Sequence, residues 1–497
     1  MLLLARQSKG GFETMDLAYS PAVELTAKLR AREIGCLELL DHHLARVERF
    51  NSKLNAIVVL DPERARARAR VADDALAKGE TWGPLHGLPM TIKEAIDVAD
   101  LPTTWGMPEH RDNRPARNAL VVDRLLEAGA IIFGKTNVPF RLTDWQTFND
   151  LYGTTNNPWD LSRAPGGSSG GAAAALATGM AALEIGSDIG GSIRNPAHFC
   201  GVCGHKPSYG LVPQEGHWLP DNIAPPDINV LGPMARSVAD LEETLSVVAG
   251  PSSADAVAWR LELPPPRRQA LKDFRIAVML EDPNCAVDRS ITDRIQSIGA
   301  QLSGLGATVS DKARPDVDTV RGFQLFLQLL RAITTSVLPE EAYEQAKRDA
   351  AALAPDDDSY FARITRAAVQ PYRGWFAANE ERWQMRARFA EFFESWDVLL
   401  CPVAARPAFP HDQKRARPDR TIEVNGRLES YNDQLFWAGL FGILGLPATV
   451  VPMGPSPSGL PVGLQIVGPY LQDRTTLEFA RLLEREIGGF VPPPGYD

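Results

Sequence analysis

Three things are scarce in this chain of 497 residues, and each scarcity closes off a class of protein. Cysteine is the first: Cys36, Cys200, Cys203, Cys285 and Cys401 are odd in number and widely scattered, a poor basis for a disulfide scaffold. Cys200 and Cys203 form a C-x-x-C, but no second pair or His-x-x-x-His completes a zinc site, so all five read as small buried thiols and no metal is expected. Positive charge is the second: 52 Lys and Arg against 62 Asp and Glu leave a formal net charge of −10, which argues against a nucleic-acid-binding surface as the main business. The one basic run, Arg64, Arg66, Arg68 and Arg70, falls in a predicted helix, where every-second spacing scatters the side chains around the axis. Long apolar runs are the third: none approaches the ~20 residues of a membrane span. Met1 to Arg6 also lacks the basic-then-apolar order of a signal peptide, so a cytoplasmic protein is expected. What remains, 44% apolar and 23% charged, is ordinary for a soluble globular protein.

What the chain does have is Ala164 to Pro196, APGGSSGGAAAALATGMAALEIGSDIGGSIRNP. Two glycine-flanked serine clusters, Gly166 to Gly171 and Gly190-Gly191-Ser192, are separated by one alanine-rich segment. Glycine beside serine lets backbone N–H groups crowd a reacting carbonyl, because no Cβ blocks the approach. A hydroxyl is a weak nucleophile until a base takes its proton, and no histidine stands in a Ser-His-Asp context: His198 and His205 follow the second cluster without a Gly-x-Ser-x-Gly. Lys93, closing the apolar run Leu88 to Ile92, is the other candidate. Burial beside hydroxyls would drive a lysine toward the neutral amine that can act as base, which suggests a Ser-Lys system. Taken singly, a glycine-serine run is a flexible turn and a strand-end lysine a snorkelling one; the conjunction carries the chemistry.

These stretches, GLPMTIK at Gly87–Lys93, GGSSGG at Gly166–Gly171, GSDIGGSIR at Gly186–Arg194 and CGVCGHKP at Cys200–Pro207, together resemble the amidase signature family. GPMARSV at Gly232–Val238 and GLQIVG at Gly463–Gly468 extend the resemblance, which runs from about Met15 to Pro492. The resemblance implies Ser192 as nucleophile, Ser168 as bridging serine and Lys93 as base, without a cofactor. It further implies an oxyanion hole from the backbone N–H groups of Ile189, Gly190, Gly191 and Ser192, a cis peptide between Gly167 and Ser168, and a hydrogen-bonding role for Ser169; Asp188 and Arg194 read either as holding the loop by side-chain bonds to backbone or to each other, or as ordinary surface charges.

Along the chain, helical periodicity predicts two helices over 21–50, an arginine-rich helix to about Lys78 and a small-residue helix over 172–183, with strands near 55–60, 85–93, 130–134, 274–279, 397–402 and 448–452. The alternation predicts an α/β fold, a mixed twisted central β-sheet covered by helices on both faces, as the resemblance also implies. Residues 1–14 read as an N-terminal extension that need not be ordered, and 15–497 as one domain with its motif core at about 80–240. The mostly helical, aromatic-rich stretch 318–397 reads as the variable region beside the substrate pocket, and 407–427 as a polar surface loop.

The expected function is a serine hydrolase that cleaves aryl or alkyl acylamides through an acyl-enzyme on Ser192, extending to carbamates (urethanes) and esters. The expected partner is a small-molecule amide or carbamate, with no nucleic acid and no membrane, in a monomer or homodimer. The alternative is the glutamine-hydrolysing A subunit of a tRNA amidotransferase, which shares every motif quoted. Against it stand Pro213 to Pro226, which departs from what is expected of that subunit, and the aromatics of 318–397, which suit an apolar substrate better.

Overall fold

The computed structural model describes residues 17–220 and 222–497, so the extension expected at 1–14 lies outside the described residues. One sheet of 11 strands runs in the order Ile57–Leu60, Ile131–Thr136, Pro89–Lys93, Glu184–Asp188, Val230–Ala235, Cys203–Lys206, Ala448–Pro455, Pro461–Val467, Val398–Pro402, Arg275–Val278, Thr308–Ser310. It is mixed: Pro89–Lys93 pairs parallel with both its neighbours, the middle of the sheet is antiparallel, and Arg275–Val278 is parallel to both strands beside it. Helices cover both faces, so the α/β architecture expected from the alternation is the one observed.

Three adjacent parallel strands, Ile131–Thr136, Pro89–Lys93 and Glu184–Asp188, are buried along their whole length. Parallel pairing brings their C-terminal ends, Thr136, Lys93 and Asp188, to one edge of the sheet, where α/β folds place their ligands. Between the serine clusters the helix is Gly170–Ala177, wholly buried, shorter than the periodicity predicts. Gly179, at φ +65°, turns the chain at its end, and the Met180 N–H caps the Ala175 carbonyl at 3.0 Å. The next residues lead straight into the strand Glu184–Asp188.

The stretch expected as a loop at 407–427 is also more ordered than its polarity suggests. Ala408 and Phe409 are buried, and Thr421–Val424 pairs antiparallel with Arg427–Ser430 around Asn425-Gly426, both at positive φ. Asn-Gly between short alternating segments is a hairpin turn, because both central residues must adopt positive φ.

The variable region forms the helices Thr319–Thr335, Glu340–Ala352, Tyr360–Ala368 and Tyr372–Ser395. Phe323, Phe326, Phe389, Phe392 and Phe393 are buried in a second core against the helix Leu435–Ile443. The approach is close at Gly439, where any Cβ would lie 2.4 Å from the Phe326 ring. Phe361, Tyr372, Phe376 and Trp383 face outward. Among the described residues, no helix is long and apolar enough to cross a membrane.

Candidate active site

The strand end at Lys93 and the turn before the helix Gly170–Ala177 meet in the interior. Lys93 is fully buried, and its Nζ donates to Ser168 Oγ at 2.7 Å, Ser169 Oγ at 2.9 Å and Ser187 Oγ at 2.9 Å, with the Ser187 carbonyl at 3.4 Å. Burial lowers the lysine to about 7, against the opposing pull of Asp188 and Glu184. Glu184 does not pin it as an ammonium: burial pushes that carboxyl up to about 8, even though the Thr91 and Thr136 hydroxyls donate to it. Near neutral pH the lysine is therefore poised between amine and ammonium, with a hydroxyl already in contact, the arrangement a proton acceptor needs.

Ser192 stands across the turn, 6% exposed, on the wall of a cavity of about 100 Å³. The two serine clusters are tied through their backbones, Ser169 N–H to the Ser192 carbonyl at 3.2 Å, across the cis Gly167–Ser168 peptide that the resemblance implies. No hydrogen bond between the Ser168 and Ser192 hydroxyls is formed among the described residues; such bonds commonly tighten only when substrate binds.

The loop between strand and serine is held by one buried ion pair. Arg194 Nη2 lies 2.8 Å from Asp188 Oδ1 and its Nε 3.0 Å from Oδ2, both residues fully buried. Burial alone would raise the Asp188 carboxyl, but the Arg194 guanidinium outweighs it and keeps it well below the usual carboxylate range. Arg194 also donates to the Ala438 carbonyl and Gln465 Oε1, and so joins the loop to the C-terminal half of the chain.

Asp188 also corrects one expectation. The Gly191 N–H donates to Asp188 Oδ1 at 2.8 Å and is not free for an oxyanion. Ile189, Gly190 and Ser192 carry backbone N–H groups with no protein acceptor among the described residues, so three of the four expected donors remain. Gly191 serves the turn instead: it sits at φ +101°, where a Cβ would lie 2.9 Å from both Trp145 and Ala438. Trp145 Nε1 donates to the Gly190 carbonyl at 3.0 Å and fixes the other side of the loop.

Several residues here escape sequence reasoning. Ser187 lies inside the quoted GSDIGGS stretch without an expected role, and it supplies two of the four oxygens around Lys93. Trp105, Trp145, His217 and Arg331 reach the cavity from segments far apart in the chain and carry no local motif. Trp105 is placed by Glu94, whose buried carboxylate accepts the N–H groups of Thr104 at 2.6 Å and Trp105 at 2.9 Å. The aromatics of 318–397 are not in the cavity: that region contributes Leu330, Arg331, Ile333, Thr334 and Val337. All five cysteines are free thiols, and no cluster of His, Cys, Asp and Glu among the described residues could hold a metal.

The family model for Amidase matches residues 38–477. The chain is 33% identical to the A subunit of the glutamyl-tRNA(Gln) amidotransferase of Synechococcus sp. (strain CC9605), over 94% of this chain and 96% of that one. It is 32% identical to the subunit of the same name from Geobacillus stearothermophilus, over 95% and 98%. Among solved structures, 6-aminohexanoate cyclic dimer hydrolase in complex with substrate superposes with a TM-score of 0.78 at 26% identity, over 95% of this chain and 98% of that one.

These likenesses overturn two expectations. Aryl or alkyl acylamides and carbamates give way as the leading substrates, since curated relatives at 32–33% identity over about 95% of the chain are amidotransferase subunits. The aromatics that argued for an apolar substrate either pack the second core or face outward, and none of them lines the cavity, which removes the physical basis of that choice. A monomer or homodimer without nucleic acid gives way too, because those relatives are named as one subunit of an enzyme acting on glutamyl-tRNA. A net charge of −10 describes this chain's own surface and is silent on assembly with other subunits.

Proposed function

We propose that this chain, which belongs to the amidase (amidase signature) family, hydrolyses the side-chain amide of glutamine as the A subunit of a tRNA-dependent amidotransferase. The coarser statement needs no proposal: it is an amidase-signature hydrolase. The observation that carries the finer one is similarity along the full length, 33% identity over 94% of this chain and 96% of an amidotransferase's A subunit. The cavity supports it. About 100 Å³ is small beside the roughly 300–1,000 Å³ of sites for drug-sized ligands and suits a compact amino-acid amide. Arg141, Arg331 and Arg417 line it, and none of them forms an ion pair among the described residues, so the wall offers positive charge to a carboxylate.

In this reading neutral Lys93 takes the proton of Ser168 as Ser168 takes that of Ser192. Ser192 Oγ attacks the amide carbon, and the oxyanion is met by the N–H groups of Ile189, Gly190 and Ser192; one such donor is worth about 3–4 kcal/mol. The relay then runs backwards and protonates the nitrogen, which leaves as ammonia, because an amide anion is too poor a leaving group. A water molecule, deprotonated through the same serines, releases glutamate from the γ-glutamyl ester. Ser169 and Ser187 hold the lysine in line, and the Asp188–Arg194 pair keeps the loop rigid. The partners are then glutamine and the other amidotransferase subunits, in the cytoplasm where tRNA is charged.

The test is ammonia release from glutamine by the purified chain, alone and with amidotransferase partner subunits. Release that disappears in Ser192→Ala supports the reading. Turnover of acyl anilides with glutamine untouched in both settings overturns it.

A further inference from the structure

The segment Pro213 to Pro226, which sets this sequence apart, delivers a histidine to the cavity of Ser192. His217 is 1% exposed, and its ring stacks on Trp105 with centroids 5.0 Å apart and planes at 19°. Its Nδ1 lies 2.9 Å from the Ala95 carbonyl, two residues beyond Lys93. A carbonyl can only accept, so Nδ1 carries the proton and Nε2 presents a lone pair. Burial, reinforced by the nearby Lys93 charge, lowers this histidine to about 3, so the ring stays neutral wherever the enzyme works. Nε2 is buried and has no hydrogen-bond partner among the described residues. Its orientation is fixed by the Ala95 bond and the Trp105 stack, and His217 lines the same cavity of about 100 Å³ as Ser192, Ile189 and Gly190.

We infer that His217 Nε2 accepts an N–H of the scissile amide, making His217 the residue that selects amides over esters at Ser192. With the carbonyl oxygen in the oxyanion hole, the amide nitrogen offers the N–H that an ester lacks. A bond from that N–H to a rigid acceptor also fixes the rotation of the nitrogen, leaving its lone pair to receive the proton returned through Ser168. Glu94 and Trp105 set the plane of the imidazole, since Glu94 anchors the backbone from which the Trp105 ring stacks on it. This inference rests on Ser192 being the reacting group of an amidase, and it does not require the amide to be that of glutamine.

The test separates acceptor from scaffold. In His217→Asn the side-chain N–H can still bond the Ala95 carbonyl while the acceptor at the Nε2 position is lost; His217→Gln puts an acceptor back near it. Two acyl pairs are compared: glutamine with glutamate γ-methyl ester, and propionamide with methyl propionate. The expected result is a fall in kcat/KM of about tenfold or more on the amides for His217→Asn, a change under about threefold on the esters, and partial recovery in His217→Gln. Equal loss on amide and ester, or no loss on either amide, overturns the inference. Cleavage of propionamide but not glutamine overturns the glutamine reading alone, and the propionamide pair still decides the role of His217. If neither amide turns over, calorimetry of propionamide binding to Ser192→Ala decides: affinity that His217→Asn leaves unchanged, or no binding at all, overturns it.

Discussion

Lys93 and Arg331 are two basic side chains near one cavity, held in opposite ways. At the floor, Lys93 Nζ has four oxygen atoms within 3.4 Å, all from serines, and the strand beneath it is buried throughout. On the wall, Arg331 comes from the helix Thr319–Thr335, its Nε is buried without a partner among the described residues, and Thr334 Oγ1 beside it is the same. A group whose hydrogen bonds are complete is fixed in position; a buried group whose bonds are incomplete is ready for a ligand to complete them. The floor is built for one reaction, and the wall is where the substrate is chosen.

That contrast predicts effects of unequal size. Lys93→Met should lower kcat by about 10²–10⁴-fold, the usual worth of a general base, and leave KM little changed. In the unaltered enzyme the active form is the amine. Since burial lowers Lys93 to about 7, protonation below that pH removes the base, and kcat/KM should fall about tenfold per unit as pH drops from there. A flat profile across pH 5 to 8 in steady-state assays would mean that another group sets the base.

Asp188→Asn probes the floor's rigidity rather than its chemistry. It leaves the fully buried Arg194 without its counter-charge, and breaking a buried pair in this way costs about 3–5 kcal/mol. Urea denaturation should show that loss as a lower midpoint at unchanged slope. A variant as stable as the parent would mean that the loop does not depend on the pair.

Arg331→Ala should give the smallest effect: KM for glutamine raised about tenfold with kcat within about threefold, because the side chain would bind the substrate equally before and during reaction. A drop in kcat as large as that of Lys93→Met would erase the distinction between floor and wall.

The floor is legible in the sequence because its parts are contiguous. Lys93 ends an apolar run, Ser168 and Ser192 sit among glycines, and Asp188 and Arg194 bracket one short loop; the resemblance to the amidase signature family is what joins these stretches and implies their roles. The same contiguity hides detail. Ser187 is inconspicuous beside Asp188, and the Gly191 N–H reads as free although a carboxylate three residues earlier takes it. The wall is not legible. Trp105, Trp145, His217 and Arg331 meet only after the chain has folded, and an aromatic-rich stretch in sequence cannot tell rings that pack a core from rings that face a ligand. Phe326 and Phe389 pack a core against a helix, the commoner place for such rings, and the sequence does not single them out from rings that would line a pocket. The helix expected over 172–183 is too long because small apolar residues continue past Gly179, and nothing in their composition marks where the strand begins.

The most direct test of the account is to trap the intermediate. Enzyme mixed with glutamine, quenched in acid during turnover and digested, should yield a γ-glutamyl adduct on the peptide containing Ser192, and none in Lys93→Met on the same timescale. An adduct on Ser168, on Cys200 or on any other residue, or ammonia release with no acyl-enzyme at all, would contradict it.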